Sequence, residues 1–235
     1  MSRPKVMVIG FPGSNGDHDA VSSLADDVGV DAEVIDYRET SLGSVDAVVL
    51  AGGFSYGDAL RAGAIARFAP AMAAVQDFAA AGGPVLGICN GFKVLTEAHL
   101  LPGALLRNAT LRFHSHRTHI RYEGASSPWL ADLRQGDVLD LPVAHGEGSY
   151  FVDEETLKRL EANNQVAFRY VERDGSLTDE ANLNGSVDAI AGVVNEAGNV
   201  LGLMPHPERA TNDLIGGTDG LRILGTLLRS TAIAS

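Results

Sequence analysis

Apolar residues fall in short blocks over the first hundred positions, and stretches of helical spacing separate them. Lys5–Gly10, Ala32–Tyr37 and Asp46–Leu50 read as strands, and the run Pro84-Val85-Leu86 reads as a fourth. Between the first two, Val21, Leu24, Ala25 and Val28 recur at helical spacing within Asp19–Val28. An alanine-rich stretch from Ala62 to Ala81 predicts a long helix, and Phe92–Ala98 predicts another directly after the fourth strand. Strands that alternate with helices require right-handed crossovers, and hence a parallel sheet with helices on both faces. The expected class is α/β, with a mostly parallel sheet.

The pattern loosens after residue 110. Leu111–Tyr122, Val138–Val143 and Gln165–Val171 read as strands, and Glu154–Asn163 as a helix. Ala189–Val194 and Val200–Leu203, joined by Asn195-Glu196-Ala197-Gly198-Asn199, predict a hairpin, and Leu221–Ser230 a closing helix. No repeat, low-complexity tract or long linker divides the chain, so residues 1–235 are expected to form a single domain. Ligands of open parallel sheets gather at the carboxyl ends of the strands. Three glycine-rich loops fall there, at 11–16, 52–57 and 87–91.

Composition narrows the function. The net charge is −12 and no basic block is present, which argues against nucleic acid or an anionic membrane as a partner. A single cysteine cannot close an intramolecular disulfide, which suits a reducing compartment. The N-terminal residues carry no signal-like apolar segment and no run reaches membrane-spanning length, so the expected location is cytoplasmic. Asn108-Ala109-Thr110 and Asn184-Gly185-Ser186 match the glycosylation pattern, and without a secretory route both are expected to be chance matches.

That single cysteine, Cys89, stands in Gly87-Ile88-Cys89-Asn90-Gly91, between a predicted strand and a predicted helix. A lone cysteine is most often a small buried hydrophobe. A tight turn flanked by glycines and facing a helix N-terminus favours the reactive thiolate instead. Pro205-His206-Pro207-Glu208 supplies an imidazole and a carboxylate two residues apart, with the two prolines predicting a stiff, extended segment. Splitting a carboxamide needs these parts: Cys89 as nucleophile, His206 as base and then acid, and Glu208 as its orienter. The backbone N–H of Asn90, with one from Gly53 or Phe54, is placed to hold the oxyanion.

The runs Gly52-Gly53-Phe54-Ser55-Tyr56-Gly57-Asp58, Leu60-Arg61-Ala62-Gly63-Ala64-Ile65-Ala66 and Gly87-Ile88-Cys89-Asn90-Gly91-Phe92 resemble class I glutamine amidotransferases. Among these, the chain is similar to the glutaminase subunits of phosphoribosylformylglycinamidine synthase. The likeness continues through Leu101–Leu105, Asn108, Ala144–Tyr150, Asn184-Gly185-Ser186 and Gly202–Glu208. It implies a flavodoxin-like α/β domain that releases ammonia from L-glutamine through a glutamyl thioester on Cys89. A separate synthetase subunit would use that ammonia to convert formylglycinamide ribonucleotide to formylglycinamidine ribonucleotide. A small third subunit would bridge the two. No cofactor is implied here; ATP and magnesium are expected on the synthetase, and the chain has no Gly-x-x-x-x-Gly-Lys-[Ser/Thr] loop.

Two positions depart from the family. Lys93 stands where the elbow usually carries glutamine, which helps hold the substrate; lysine keeps donors, loses the amide acceptor and adds charge near Cys89. Gly16 stands where relatives often carry cysteine, and its loop is expected to be a plain turn capping a helix at Asp17 or Asp19. Gly146 and Glu147 are implied to touch the amino-acid part of the substrate; a glycine-rich turn explains Glu147 equally well. His114, His116 and His119 form no converging metal set on a strand, since 119 points to the other face, and no metal is expected. Two rivals stay open: another cysteine-dependent amidotransferase or hydrolase, and a docking subunit whose glutamine use Lys93 has disabled.

Overall fold

The computed structural model describes residues 3–228. Its centre is built from strands whose every residue is buried: β3 (Ala47–Leu50), β4 (Val85–Ile88) and β11 (Val200–Leu203). β1 (Lys5–Gly10) is buried along its middle and β2 (Asp31–Asp36) forms the exposed edge. Uninterrupted Val, Leu and Ile runs are what a parallel strand covered on both faces requires. These five lie side by side in the order β2-β1-β3-β4-β11, all parallel. Counted in turn, this is the 2-1-3-4-5 order of flavodoxin-like sheets.

Beyond β11 the sheet continues antiparallel through β10 (Ile190–Val194), β9 (Val166–Val171), β6 (His114–Tyr122) and β7 (Val138–His145). The expected hairpin is the β10–β11 pair. A separate two-stranded sheet joins β5 (Ala104–Arg107) to β8 (Glu147–Phe151). Although β7 is last in the order, it returns over the carboxyl ends of the central strands. The His206 N–H donates to the Pro142 carbonyl at 2.8 Å, and the Ala144 carbonyl lies 3.7 Å from the Cys89 sulfur. Accumulated strand twist allows a long sheet to close on itself in this way.

Several elements differ from the sequence-based expectation. The helix expected over 62–81 is confined to α2 (Pro70–Ala80), because Pro70 takes the first helical position and fixes the start there. Upstream, a 3₁₀ turn (Ala66–Phe68) follows an irregular segment in which Leu60 and Gly63 have positive φ. The first helix divides into α1 (Asp17–Ser22) and a π-helical turn (Ser23–Val28) that ends at Gly29. Gly16, not Asp17 or Asp19, is the N-cap of α1, and no side chain caps it. The strand expected from Leu111 begins at His114, since Leu111 itself has a left-handed φ of 55°. Of the closing helix, α5 (Leu221–Leu224) is observed; residues 229 and 230 of that expectation lie outside the described residues.

Helix α3 (Asn90–Glu97) packs on β3, β4 and β11, and every one of its residues is buried. A Cβ added at Gly91 would lie 1.9 Å from the Leu50 carbonyl oxygen, so the start of α3 touches the backbone of β3. Overpacking at rigid backbone exceeds the usual cost of about 1–3 kcal/mol. Gly91→Ala is therefore expected to lower stability by about 3 kcal/mol or more, read from the urea midpoint. Gly82→Ala, at a φ of +88° in open space, should lose only about 1–2 kcal/mol.

Candidate active site

Cys89 ends β4 and caps α3 with φ 51° and ψ −101°, a conformation L-residues avoid at a cost of about 1–3 kcal/mol. Backbone bonds hold it there: Cys89 N–H donates to Leu203 at 2.8 Å, and Lys93 N–H donates to Cys89 at 3.3 Å. The flanking glycines let the turn close. A Cβ at Gly87 would meet the Gly91 carbonyl at 2.8 Å. The first amides of α3, beginning with Asn90, are left without intrahelical partners by helix geometry.

His206 follows β11, and its imidazole is 2% exposed. The Pro-His-Pro-Glu segment is not the extended stretch expected: the chain bends at Met204 and Pro205, and Pro207–Arg209 tightens into a 3₁₀ turn. That turn swings Glu208 back, so that His206 Nδ1 and Glu208 Oε1 stand 2.7 Å apart. With Nδ1–H donating to the carboxylate, Nε2 is left buried without a hydrogen-bond partner, and the ring lies within electrostatic reach of the Cys89 thiol. Gly52 makes room: a Cβ there would lie 2.7 Å from His206 Cε1 and 3.6 Å from Cys89 Cβ.

Burial alone would push the Cys89 thiol up, yet its pKa is lowered, because the His206 imidazolium and then the Lys93 ammonium favour the thiolate. Burial alone would push His206 down, yet it is raised, because Glu208 and the thiolate favour the imidazolium. The two groups thus stabilise each other's charged forms. His145 goes the other way. Burial, with Lys93 and His206 nearby, drives it down to about 3, so it stands neutral.

A cleft of about 300 Å³ opens onto the sulfur. Of the residues singled out from sequence, Cys89, Gly53, Phe54, Lys93, Gly146 and Glu147 line it. His206, Glu208 and Asn90 do not line it; Glu208 instead borders the cleft beside Asp19 and Thr211. Glu147 belongs to β8 and not to a turn; the glycines on both sides of it masked the strand. Sequence reasoning assigned no role to Asp58, Arg107, Phe113 or His145, which also line the cleft. Asp58 and His145 lie inside the runs that carry the family likeness, the one signal for them; Arg107 and Phe113 lie outside and carry none. A larger cleft of about 470 Å³ beside Asp19 and Thr211 holds no thiol.

The 11–16 loop is a buttress. Gly16 N–H donates to the Gly52 carbonyl at 3.1 Å, and Ser14 pairs with Gly53 as an isolated bridge. A Cβ at Gly16 would fall 2.7 Å from that carbonyl, so a bulkier residue would lift the 52–53 loop. Under the junction of β7 and β8, Asn108 bonds the backbone of His145 and Gly148, and Asn184 bonds Gly148. Both asparagines are fully buried, so neither is a glycan acceptor. His114 and His116 share a face as expected, and the described residues hold no group of three or more potential metal ligands. Nor do they include a helix long and apolar enough to cross a membrane.

Comparison with known proteins agrees with this geometry. Residues 3–216 match the CobB/CobQ-like glutamine amidotransferase domain. The chain is 58% identical to phosphoribosylformylglycinamidine synthase subunit PurQ of Thermomicrobium roseum, over 94% of each chain. It is 55% identical to the PurQ subunit of Salinibacter ruber, over 97% of each. Among solved structures, a chain of PurLQS from Thermotoga maritima superposes with a TM-score of 0.85 at 36% identity, covering 97% of this chain and 99% of that one. Matched along nearly its whole length, the chain belongs to the CobB/CobQ-like glutamine amidotransferases and, among them, to the PurQ family.

Proposed function

We propose that this chain, acting as one amidotransferase domain, is the glutamine-hydrolysing subunit of phosphoribosylformylglycinamidine synthase. The observation that carries the chemistry is the buried Cys89–His206–Glu208 array, drawn from two distant segments and open to one cleft. The Cys89 thiolate attacks the side-chain carboxamide carbon of L-glutamine, and the oxygen takes the negative charge. Backbone N–H groups of Asn90 and of Gly53 or Phe54 hold that oxyanion. The intermediate collapses as His206 gives its proton to the departing nitrogen, leaving ammonia and a glutamyl thioester. Water then attacks the thioester with His206 as base, glutamate departs, and the thiol is restored.

Glu208 holds the imidazole with Nε2 toward sulfur and stabilises its positive form. Lys93, Gly146 and Glu147 contact the amino-acid end of the substrate. Lys93 offers a buried cation for the α-carboxylate, and Glu147 offers a carboxylate for the α-ammonium. Ammonia passes to a synthetase subunit, which makes formylglycinamidine ribonucleotide; a small bridging subunit completes the complex. ATP and Mg²⁺ belong to the synthetase, and the assembly works in the cytoplasm.

In the reconstituted complex, Cys89→Ser should abolish glutamine-dependent product and retain product formed from added ammonium salts. Loss of both would place Cys89 outside the glutaminase step. Lys93→Gln should change the glutamine KM several-fold with a smaller change in kcat; an unmoved KM would mean that position 93 does not touch substrate. A pocket disabled for glutamine by Lys93 would instead gain activity from this substitution.

The linked charges set a pH window. The thiol titrates below the ordinary value of 9.0 and the imidazolium above 6.5. Thiolate and imidazolium therefore coexist between the lowered and raised values, with activity lost below the first and above the second. Alkylation of Cys89 by iodoacetamide should show its half-point below 9.0. In His206→Ala, burial is left to dominate and the half-point should move up.

A further inference from the structure

The segment from Phe54 to Phe68, broken into short 3₁₀ turns, is a strap held against α3. In its middle, Arg61 forms a two-toothed ion pair with Glu97, at 2.7 and 2.8 Å, and Gly63 presses on the helix backbone; a Cβ there would lie 2.8 Å from Val94 N. At its far end, Arg67 donates to the Glu97 carbonyl at 2.9 Å. At its near end, Asp58 Oδ1 accepts a hydrogen bond from the Asn90 side chain at 3.1 Å. Asn90 directly follows the nucleophile, and Phe54 lies four residues before Asp58.

The backbone of this near end is strained. Tyr56, Asp58 and Leu60 all have left-handed φ values, of 54°, 53° and 67°. Three such residues within five persist only where contacts over-determine them. Asp58 supplies one of those contacts, and the group it grips carries one of the two oxyanion donors. The other donor, from Gly53 or Phe54, leads into the same strap.

We propose that Asp58 is a positioning residue, whose hydrogen bond to Asn90 fixes the spacing between the two backbone N–H groups that hold the oxyanion. Its part is geometric: it needs an acceptor oxygen at Oδ1 and not a charge. Half-buried beside Glu147, its carboxyl is pushed upward by burial, although Lys93 opposes this. The inference rests on the glutaminase function and goes beyond it by naming what aligns the oxyanion hole. Displacing one oxyanion donor is the kind of change that removes about 10²-fold from a rate, and it does so in kcat.

The test measures steady-state glutamine hydrolysis in the reconstituted complex, with Cys89 alkylation as a separate readout. Asp58→Ala is expected to lower kcat by about tenfold to 10²-fold and to move KM by less than about threefold. The alkylation rate should stay at the wild-type value, because the Cys89–His206–Glu208 array is untouched. Asp58→Asn keeps the acceptor oxygen and should recover most of the lost kcat. Should Asp58→Ala melt early, Asn90→Ala removes the same bond from its other side and carries the same expectation. The double variant should be no slower than the slower single one.

A wild-type kcat in Asp58→Ala would overturn the inference. So would losses that multiply in the double variant. An Asp58→Asn enzyme as slow as Asp58→Ala, with a raised KM, would place the Asp58 charge on the substrate and equally overturn it. None of these outcomes touches the glutaminase assignment, which stands or falls with Cys89→Ser.

Discussion

The meeting of the Cys89 and His206 segments depends on backbone packing against backbone without a side chain between. At the start of α3, the Gly91 Cα sits so close to the Leu50 carbonyl that a Cβ would be 1.9 Å away. On the opposite arm, a Cβ at Gly220 would be equally close, 1.9 Å, to the Pro207 carbonyl, in the turn that aims Glu208 at His206. Gly52 lies between the arms and leaves space for the imidazole edge. The glycines of the sequence motifs are thus spacers that bring three backbone segments to one point. The strained Cys89 conformation follows from them, because the helix is pinned to β3 while the strand is pinned to β11.

Once the segments meet, electrostatics completes the site. A thiolate alone at that depth would be strongly disfavoured, and so would an imidazolium alone. Placed together, each supplies the countercharge the other needs; Glu208 favours the imidazolium, while its own charge works against the thiolate. A pair broken by removing one member leaves an uncompensated buried charge, which is why the array acts as a unit. Lys93 adds a further cation on the cleft side, and it also helps hold His145 neutral. A neutral His145 suits its place in the wall, where Asn184 and Asn108 fasten the end of β7 that leads to Glu147.

The central parallel strands β3, β4 and β11 were legible from apolar runs alone, because strands buried on both faces have no polar positions to confuse the pattern. Cys89 and His206 were legible for a local reason: glycine and proline mark them as turn residues at strand ends. Elsewhere local signals misled. Alanines over 62–81 favour a helix, but Pro70 sets its start, and the residues before it are held by contacts to α3 that lie outside any local window. Gly146 and Gly148 imitate a turn around Glu147, whereas Gly148 is small because a Cβ would lie 2.2 Å from the His145 ring. Arg107 and Phe113 join the cleft only because β5 pairs with β8 and β6 pairs with β7. Such pairing is a property of topology, invisible to periodicity.

The path of β7 explains why two such different kinds of sheet share one chain. A parallel sheet alone presents its strand ends to open solvent, where a thiolate would keep its water and the cleft would have no far wall. The antiparallel continuation carries the chain away from the centre and brings it back, so that Pro142 receives the His206 N–H and Ala144 stands over the sulfur. Gly146, between β7 and β8, and Glu147, at the start of β8, then join Phe54 in the cleft lining. Desolvation of the cysteine and assembly of the cleft are thus one structural event, produced by the same strand. The half of the sequence with the weaker secondary-structure signal is the half that turns an exposed elbow into a site.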